Sequence, residues 1–549
     1  MKKLIATAIA MSLSISATVS AEKFTFVTKS VNSDGIQIDG VEVKPMGLGF
    51  VRLRVESSSI DSALEKLSFG GIDTAALEYD SGFSLYVDKG VEVSASGDAY
   101  TQSLSNDPEF SNQSNFKSRA VHKGSNNLLD GLNYQKENGG RVRVAVLDTG
   151  YIPHVDVNVA GGYNFSTLFG QEQGGNYIDL TSQDSTTCSS GHGLAVASII
   201  GASQNNNIGM FGVADVDLYM GRIISTDCAN SNKDVGQLSD LFDGLLWAVT
   251  DESQGGIDAD IINLSIEGES VCPSYIQEVI DLAMSQGKHI VVSAGNSGDI
   301  ANRFVPANCN NVIVVGANNL DGSGETYTNT GDVVDIAAMG DALVALDGDA
   351  YGTISGTSMS AAFVSGSIAR LLGNFPTLNQ VQTEEILKTS STSFKDGVGD
   401  SCLTGCGTGY LDLVSSFKYT EKVFEPKISF THLYENTRDT CDTNEAVTAL
   451  MSFTDVCNTM IANFNASYFG EGVIYQYKLL KKEKHISNWG DSRTEVVKNI
   501  SGYGDVSSIV IKGFDMDTYD YGVVACDGDN CPFVEVLEIS QHQLPPICK

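Results

Sequence analysis

The stretch VAVLDTG, from Val144 to Gly150, joins four apolar residues directly to an aspartate. An unbroken apolar run of this length is typical of a strand that is covered by helices on both faces. Asp148 follows at the carboxyl end of the run, the edge at which open α/β sheets place their functional groups. The stretch therefore predicts a sheet of parallel strands with a polar site at the end of one of them.

Two later stretches supply further polar side chains in a similar setting. His192 lies in SSGHGLA and Ser358 in SGTSMSAAF, each between small residues and just before a helical pattern. After the serine, Val364, Ile368 and Leu371 recur at the spacing of one buried helix face. A serine hydroxyl needs a base to become a nucleophile at neutral pH, and a neutral imidazole is suited to that task.

Taken together, these stretches resemble the subtilisin-like serine proteases, the subtilases, in which aspartate, histidine and serine follow one another in that order. A fourth stretch, VVSAGNSG at Val291 to Gly298, strengthens the resemblance, which extends from about Arg141 to Gly409. It implies an α/β fold with a doubly wound, mostly parallel sheet. It also implies a secreted serine endopeptidase that hydrolyses peptide bonds of protein and peptide substrates through an acyl-enzyme.

The resemblance assigns a role to each of four side chains. His192 would take the proton of Ser358 and later pass it to the leaving amine, while Asp148 would orient and stabilise the imidazole ring. Asn296 would donate to the oxyanion together with the backbone N–H of Ser358. Each residue alone is also typical of a turn, a loop or a helix cap. Only their combination in this order indicates catalysis.

Two segments are expected to line a substrate cleft. NLSIEG, Asn263 to Gly268, matches the family strand beside the pocket for the P1 residue, which precedes the scissile bond. The resemblance implies a second strand near Asp234 to Gln237, because the family lays an extended peptide between two such edges. Glu267 stands where the family commonly has glycine; it either favours a basic P1 residue from the pocket rim or points to solvent. The predicted substrate-binding residues are Ser265, Ile266, Glu267, Gly268, Gly236 and Gly295.

The stretch GASQNNNIGMFGVA, Gly201 to Ala214, closely resembles the strong calcium loop of the family. The resemblance implies a structural Ca²⁺ held by oxygen atoms, the ligands that this ion prefers. The implied ligands are the carboxylate of Asp156, the side chain of Asn206 and the backbone carbonyls of Gln204, Ile208 and Met210. The alternative is a polar turn rich in asparagine, since no second carboxylate is visible in the sequence.

The N-terminal stretch and the net charge of the chain indicate where the protein is located and which binding partners are disfavoured. The chain begins with two lysines, an apolar stretch and Val-Ser-Ala before Glu22, which is typical of a secretory signal peptide cleaved after Ala21. We therefore expect secretion and no membrane span. The 68 acidic residues against 34 basic ones give a net charge of −34, which disfavours nucleic acid and anionic membranes as partners.

Eleven cysteines agree with an oxidising destination. Two of the predicted bridges, Cys188–Cys228 and Cys402–Cys406, look like those of disulfide-bearing extracellular subtilases. The sequence alone cannot prove the connectivity, and the odd count leaves one thiol unpaired or intermolecular. A metal-thiolate site is less favoured because no C-x₂-C pair exists. The cysteines predicted to pair are Cys188 with Cys228, Cys272 with Cys309, Cys402 with Cys406, and Cys526 with Cys531.

Changes of pattern divide the chain into a signal peptide (1–21), a small α+β propeptide (22–120), a catalytic domain (121–418) and a β-rich C-terminal domain (419–549). The β-α-β-β pattern before the catalytic domain resembles the family propeptide, an intramolecular chaperone and inhibitor; the alternative is a permanent accessory domain. A processing linker is expected within the polar stretch Asn112 to Lys123. Short alternating strands near the C-terminus predict a β-sandwich, loosely similar to fibronectin type III modules.

Two other classes of function compete with a protease. A lipase or esterase of the α/β-hydrolase type fits poorly, because Ser358 lacks the G-x-S-x-G context and the aspartate precedes the histidine and the serine. A binding protein on an inactive protease scaffold would use the C-terminal domain as its working part. The presence of all four residues with an expected catalytic role, Asp148, His192, Ser358 and Asn296, argues against that alternative.

Overall fold

The computed structural model describes residues 22–29, 38–70, 72–85, 105–119, 122–128, 141–183, 186–229, 233–394, 402, 405–423, 459–464, 476–485, 495–501, 507–512, 519–526 and 537–539. The chain forms two compact units, Met1–Ser416 and Phe417–Lys549. The predicted signal peptide lies outside the described residues. No helix within those ranges combines the length and the apolar character that crossing a bilayer requires.

The first unit begins with a small antiparallel sheet. Its elements are β1 (Glu22–Lys29), β2 (Val41–Pro45), β3 (Phe50–Ser57), α1 (Ile60–Phe69) and β4 (Glu78–Tyr79), with the strand order β2-β3-β1-β4. Helix α1 begins where Ser59 accepts the backbone N–H of Ser62, and its Leu67 is fully buried against the sheet. The β-α-β-β alternation expected for this region is present from β3 onward. The next strand, β5 (Gly82–Ser84), leaves this sheet and pairs elsewhere.

A seven-stranded parallel sheet forms the body of the first unit, in the order β18-β17-β15-β13-β6-β10-β7. The expected α/β fold with a mostly parallel sheet is therefore confirmed. The strands from residue 142 onward are β6 (Val142–Asp148), β7 (Val159–Asn164), β8 (Thr181–Gln183), β9 (Thr186–Cys188), β10 (Val216–Arg222), β11 (Ile224–Asp227), β12 (Lys233–Gln237), β13 (Ile261–Leu264), β14 (Gly268–Glu269), β15 (His289–Ser293), β16 (Phe304–Val305), β17 (Ile313–Asn318), β18 (Ile336–Met339), β19 (Asp341–Leu346) and β20 (Ala350–Ser355).

Helices cover both faces of this sheet. From residue 192 onward the helices of the chain are α2 (His192–Gly201), α3 (Leu238–Val249), α4 (Ser274–Ser285), α5 (Thr357–Asn374), α6 (Gln380–Ser390) and α7 (Leu413–Val423), of which α2 to α5 contact the sheet. Ala145 and Leu147 of β6 share one hydrophobic core with α3 and α4. Val144 and Val146 point to the other face, because side chains alternate along a strand, and they are also fully buried. On that side α2 and α5 pack against each other and contact the strands.

Residues 105–119 are built into this body. Phe110 and Phe116 both contact Phe211, the first in a tilted and the second in an edge-to-face arrangement, with ring centroids 5.2 and 5.6 Å from it. Gln113 donates to the Phe211 carbonyl at 2.9 Å, and Asn115 donates to the Asp341 carbonyl at 3.1 Å. The stretch in which a processing linker was expected therefore contributes core contacts to the body of the first unit.

Three disulfides join cysteines of the first unit: Cys188–Cys228, Cys272–Cys309 and Cys402–Cys406. All three match pairs expected from the sequence. Cys526 lies in a described strand, whereas Cys531, Cys441, Cys457 and Cys548 lie outside the described residues.

The second unit contains β-strands, as the alternating pattern predicts. They are β21 (Thr459–Phe464), β22 (Gln476–Glu483), β23 (Glu495–Ser501), β24 (Ser507–Lys512), β25 (Tyr519–Cys526) and β26 (Leu537–Ile539). Strands β21 and β24 pair with each other, while the other four form a sheet in the order β23-β22-β25-β26. The sandwich packing and the fibronectin-like topology stay predictions.

Candidate active site

Asp148 and His192 form a directly bonded, buried pair. Asp148 ends β6, and His192 is the first residue of α2. The Nδ1 atom of His192 lies 2.8 and 3.0 Å from the two carboxylate oxygens of Asp148. Asp148 is 0% exposed and His192 is 3% exposed. This contact fixes the imidazole with Nδ1 toward the carboxylate and leaves Nε2 as the atom that can exchange a proton.

The charges around His192 raise its pKa. Burial opposes the charge, but the Asp148 carboxylate, with smaller effects from Asp234 and Asp179, raises the pKa of His192 above its usual value. The Nε2 atom is itself buried and has no hydrogen-bond partner among the described residues. An unsatisfied buried nitrogen of this kind is costly and is common at functional sites.

Ser358 is the second residue of α5, the helix that packs against α2. It is 5% exposed. Its carbonyl oxygen accepts a hydrogen bond from Ser265 Oγ at 3.1 Å, and Ser265 in turn accepts from Asn263 Nδ2 at 2.9 Å. The start of the serine helix is thereby tied to the end of β13. Helix packing thus brings together α2, which begins with His192, and α5, whose second residue is Ser358.

Asn296 lies just beyond β15, beside the first turn of α5. Its Oδ1 accepts from the backbone N–H and from the hydroxyl of Thr357, both at 2.8 Å. A Cβ placed on Gly356 would lie 3.3 Å from Asn296 Nδ2 and 3.8 Å from the backbone nitrogen of Ser358. The two predicted oxyanion donors, Asn296 Nδ2 and the Ser358 N–H, therefore border the same small space next to Gly356.

The two predicted edges of the substrate cleft hold an extended segment of the chain itself. Strand β5 pairs antiparallel with β12, with Phe83 opposite Gly236. On its other side, Ser84 N–H donates to the Glu267 carbonyl at 2.9 Å, and Glu267 N–H donates to the Ser84 carbonyl at 3.4 Å. Gly268 is close by, since a Cβ there would lie 2.8 Å from Phe83 Cβ. Strand β5 thus occupies the position expected of a peptide substrate.

The other predicted cleft residues lie in the same region. Ile266 is buried, and its carbonyl oxygen accepts from Ser293 Oγ at 3.4 Å. Glu267 is only 9% exposed, and its carboxylate accepts the backbone N–H of Asn296 at 3.2 Å. Gly295 has a φ of +103°, and a Cβ on it would lie 2.0 Å from Glu267 Oε2. The solvent-facing alternative for Glu267 is wrong, because its side chain turns toward the loop that carries Asn296.

Comparison with known proteins identifies the family of the chain. The model of the Subtilase family matches residues 139–409. "Subtilisin BL" of Lederbergia lenta is 31% identical over 271 residues, which are 49% of this chain and 88% of that protein. The chain belongs to the subtilase family. An "Extracellular protease" of Xanthomonas campestris pv. campestris is 30% identical over 308 residues, 51% of each chain, so this subtilase spans about half of that relative. A solved structure of proteases from Pseudoalteromonas arctica has a TM-score of 0.49 and 29% identity, and covers 57% of this chain and 99% of its own.

Two buried carboxylates of this subtilase, Asp179 and Asp234, hold the turn before His192, a role that sequence analysis did not assign to them. Asp179 accepts the N–H groups of Gly191 at 2.7 Å and Ser190 at 3.2 Å. Asp234 accepts the Ser190 hydroxyl at 2.7 Å. Burial raises the pKa of both carboxyl groups, and hydrogen bonding opposes that rise. Asp179 lies in a loop and Asp234 in β12, and neither position carries a sequence pattern that links it to a histidine in another segment.

The candidate calcium loop of this subtilase brings two carboxylates together. Asp156 accepts from Asn206 Nδ2 at 3.0 Å and from the Met210 N–H at 2.8 Å. Asp107, which sequence analysis missed, accepts the N–H groups of Asn205 at 2.8 Å and Asn206 at 2.9 Å. Burial raises the pKa of the Asp156 carboxyl, and the nearby charge of Asp107 adds to the rise. A bound cation would offset the repulsion between these two carboxylates.

The remaining predicted ligands also suit an oxygen-preferring ion. The backbone carbonyl oxygens of Gln204, Ile208 and Met210 accept no hydrogen bond from any described residue. Asn206 Oδ1 accepts from the Ile208 N–H at 2.8 Å, so a bound ion would compete with that bond. Within the described ranges, no cluster of three or more His, Cys, Asp or Glu side chains could hold a metal. The donor set therefore fits Ca²⁺ through carbonyl and carboxylate oxygens rather than through a cluster of charged side chains.

Proposed function

We propose that this chain is a secreted serine endopeptidase that hydrolyses peptide bonds of protein substrates through an acyl-enzyme at Ser358. One observation carries the proposal: the buried His192 has Nδ1 on the Asp148 carboxylate and a buried, unpaired Nε2. That is the state a general base needs before it takes a proton from a serine. The packing of α2 on α5 supports Ser358 as that serine.

The catalytic cycle follows from these groups. Ser358 Oγ attacks the scissile carbonyl carbon while its proton passes to His192 Nε2, and Asp148 stabilises the imidazolium that forms. The carbonyl oxygen becomes negative and is stabilised by Asn296 Nδ2 and the Ser358 N–H. His192 then gives the proton to the leaving amine, the carbon–nitrogen bond breaks, and the acyl-enzyme remains. Water, deprotonated by His192, repeats the sequence and releases the acid product.

The same geometry supports an extended peptide as substrate. Backbone pairing with β12 on one side and Glu267 on the other supplies affinity that does not depend on the sequence of the peptide, while pockets for alternate side chains supply selectivity. Strand β5 makes these contacts in the uncleaved chain. We therefore propose that the N-terminal region is a propeptide that inhibits the enzyme by filling its own cleft.

We also propose a structural calcium ion in the loop that contains residues 204–210. Asp107 and Asp156 would hold it with the side chain of Asn206 and the carbonyls of Gln204, Ile208 and Met210. When bound, the ion would neutralise two carboxylates and brace the loop against the body of the domain. It would take no part in bond cleavage.

Export is supported by two independent observations. The N-terminal pattern of two lysines, an apolar stretch and small residues is typical of a signal peptide. Three disulfides are formed in the first unit, and such bonds persist in oxidising surroundings. Culture fractionation with N-terminal sequencing of the exported protein tests this part of the proposal.

Casein hydrolysis by the purified protein tests the central proposal. We expect Ser358→Ala and a serine-directed covalent inhibitor each to abolish hydrolysis. Ser367→Ala is a matched control on the same helix, because the Ser367 hydroxyl is buried and has no hydrogen-bond partner among the described residues. It should keep full activity. An inactive wild-type protein that binds casein would favour a binding protein on an inactive scaffold, and hydrolysis of esters but not of casein would favour an esterase.

A further inference from the structure

Three consecutive backbone N–H groups around Asn296 are each held by a different side chain. Gly295 N–H donates to Thr357 Oγ1 at 3.2 Å, and Ser297 N–H donates to Asn329 Oδ1 at 3.0 Å. Between them, Asn296 N–H donates to Glu267 Oε2 at 3.2 Å. The loop that carries the oxyanion asparagine is therefore clamped from three elements that are distant in sequence. Among the three acceptors only Glu267 carries a charge.

The Glu267 carboxylate makes further contacts with the same loop. Its Oε1 accepts the Ser297 hydroxyl at 3.3 Å, and its Oε2 also accepts Asn329 Nδ2 at 3.2 Å. Burial raises the pKa of Glu267, and the bonds from Asn296, Ser297 and Asn329 oppose that rise because they favour the ionised form. A buried carboxylate with three donors is a rigid support, since charge-assisted hydrogen bonds are stronger than neutral ones.

The backbone of Glu267 faces the opposite way, toward the cleft. Its N–H and carbonyl pair with Ser84 of the inhibitory strand, in the place proposed for substrate. One residue thus touches a bound peptide through its main chain and the Asn296 loop through its side chain. Gly295 makes this arrangement possible, because any Cβ there would lie 2.0 Å from Glu267 Oε2. The glutamate at 267 and the glycine at 295 are sterically matched.

We propose that Glu267 is a positioning residue for the oxyanion hole. Its carboxylate fixes the peptide plane of Asn296, so that the carboxamide, anchored at Thr357, stays aimed at the space beside Ser358. The same residue links that geometry to peptide binding through its own backbone. This inference rests on the proposed protease function and deepens it.

This role differs from selection of a basic P1 residue. All three donors named above already engage the carboxylate, so an arginine in the pocket would have to displace them. The positioning role therefore predicts that removal of the charge lowers turnover for every substrate alike. A specificity role would instead change the ratio between substrates with arginine and with phenylalanine at P1.

The test compares Glu267→Gln and Glu267→Gly with the matched control Glu269→Gln. Glu269 lies two residues further along the same segment, but it is exposed and pairs with Arg303 at the surface. The measurement is kcat and KM on peptide anilides with arginine or phenylalanine at P1, corrected by active-site titration. We expect kcat to fall about 10-fold for the glutamine and about 100-fold for the glycine, below the ceiling of roughly 10²–10³ for loss of an oxyanion donor. KM and the P1 ratio should change less than about twofold.

A double-mutant cycle with Asn296→Ala separates positioning from general damage. If Glu267 acts through Asn296, Glu267→Gln should cost little further activity in the Asn296→Ala background, because groups that act as a unit are not additive. Additive losses, a change confined to KM, a changed P1 ratio or wild-type kcat in both Glu267 variants would each overturn the proposal. Failure of the protease proposal itself would show separately, as a wild-type protein without hydrolysis or as activity that survives Ser358→Ala.

Discussion

Arg52 and Asp240 form an ion pair that is completely shut off from water. Arg52 lies on β3 of the N-terminal sheet and Asp240 in the first turn of α3, with 3.4 Å between guanidinium nitrogen and carboxylate oxygen and exposures of 1% and 0%. Asp243 also pairs with Arg52, at 3.2 Å, and Asp80 accepts the Ser239 N–H nearby at 2.9 Å. The N-terminal region is therefore joined to the catalytic body by a buried cluster of titratable side chains as well as by β5.

The first prediction is that release of the N-terminal region depends on pH. Burial raises the pKa of Asp240 to about 7, against the opposing effect of Arg52, and burial also raises that of Asp80. A carboxyl whose pKa is raised in the complex stabilises it below about pH 4, and this stabilisation is lost as pH rises through about 7. We expect the cleaved fragment to bind at least about tenfold more weakly at pH 8 than at pH 5.

Size-exclusion chromatography of the processed enzyme at the two pH values measures this release. Asp240→Asn removes the group whose pKa lies near 7, so its fragment should show a smaller difference in dissociation between the two pH values than the wild-type fragment. Equal retention of the wild-type fragment at pH 5 and pH 8 would show that Asp240 does not control release.

The second prediction concerns maturation. Strand β5 lies in the cleft up to Ser84, whereas residues 105–119 are part of the catalytic body; Arg119, for example, donates to Asp412 at 2.7 Å. Cleavage within Asn112 to Lys123 would cut through those contacts. We therefore expect the mature N-terminus to fall between residues 86 and 105. N-terminal sequencing of active enzyme checks this, with Ser358→Ala as the uncleaved control, and a start inside residues 112–123 would contradict it.

The third prediction is the pH profile of hydrolysis. Because Asp148 raises the pKa of His192 against the effect of burial, kcat/KM should fall on the acid side with a midpoint above the ordinary histidine value. Asp148→Asn should move this midpoint to lower pH. It should also reduce kcat by about 10⁴, the size that the corresponding change has in a trypsin-type protease.

Asp258→Asn serves as the control, since Asp258 is a half-exposed aspartate paired with Lys288. Its profile should match the wild type. An acid midpoint that does not move in Asp148→Asn would remove Asp148 as the group that tunes His192.

The fourth prediction concerns calcium. Ca²⁺ at about 100 times its dissociation constant should stabilise the protein by roughly 2.7 kcal/mol, which corresponds to a rise in Tm of about 5 °C or more. Asp107→Asn should lose most of this rise, whereas Asp347→Asn, in the exposed turn between β19 and β20, should keep it. Scanning calorimetry with Ca²⁺ and with chelator measures the effect, and identical Tm values would exclude the ion.

Much of this site could be predicted from short stretches of sequence. The apolar run of β6 and the helix face after Ser358 are local patterns, and local patterns decide the elements of a parallel sheet. The order of Asp148, His192 and Ser358 then identified the family, which the comparisons confirm. The three cysteine pairs bonded in the first unit were also foreseen, although two of them by resemblance.

Other features were beyond the reach of the sequence because they depend on contacts between distant segments. The carboxylate of Asp107 meets Asn206 across 99 positions, so the calcium loop seemed to have a single carboxylate. Glu267 turns inward because Asn329, 62 positions away, offers a donor and Gly295 offers space. No sequence periodicity predicts contacts between such distant residues, because these contacts depend on the folded backbone.

Phe83 is 3% exposed and shares a hydrophobic core with Leu238, Leu241 and Ile266 beside the cleft. Removal of the N-terminal region during maturation would take away the Phe83 ring and leave an empty apolar pocket of the size of a phenylalanine side chain. Phe83 therefore indicates the substrate preference of the mature enzyme: peptides with a large aromatic residue at the position of Phe83 should be preferred. Phe83 is also the natural starting point for the design of an inhibitor.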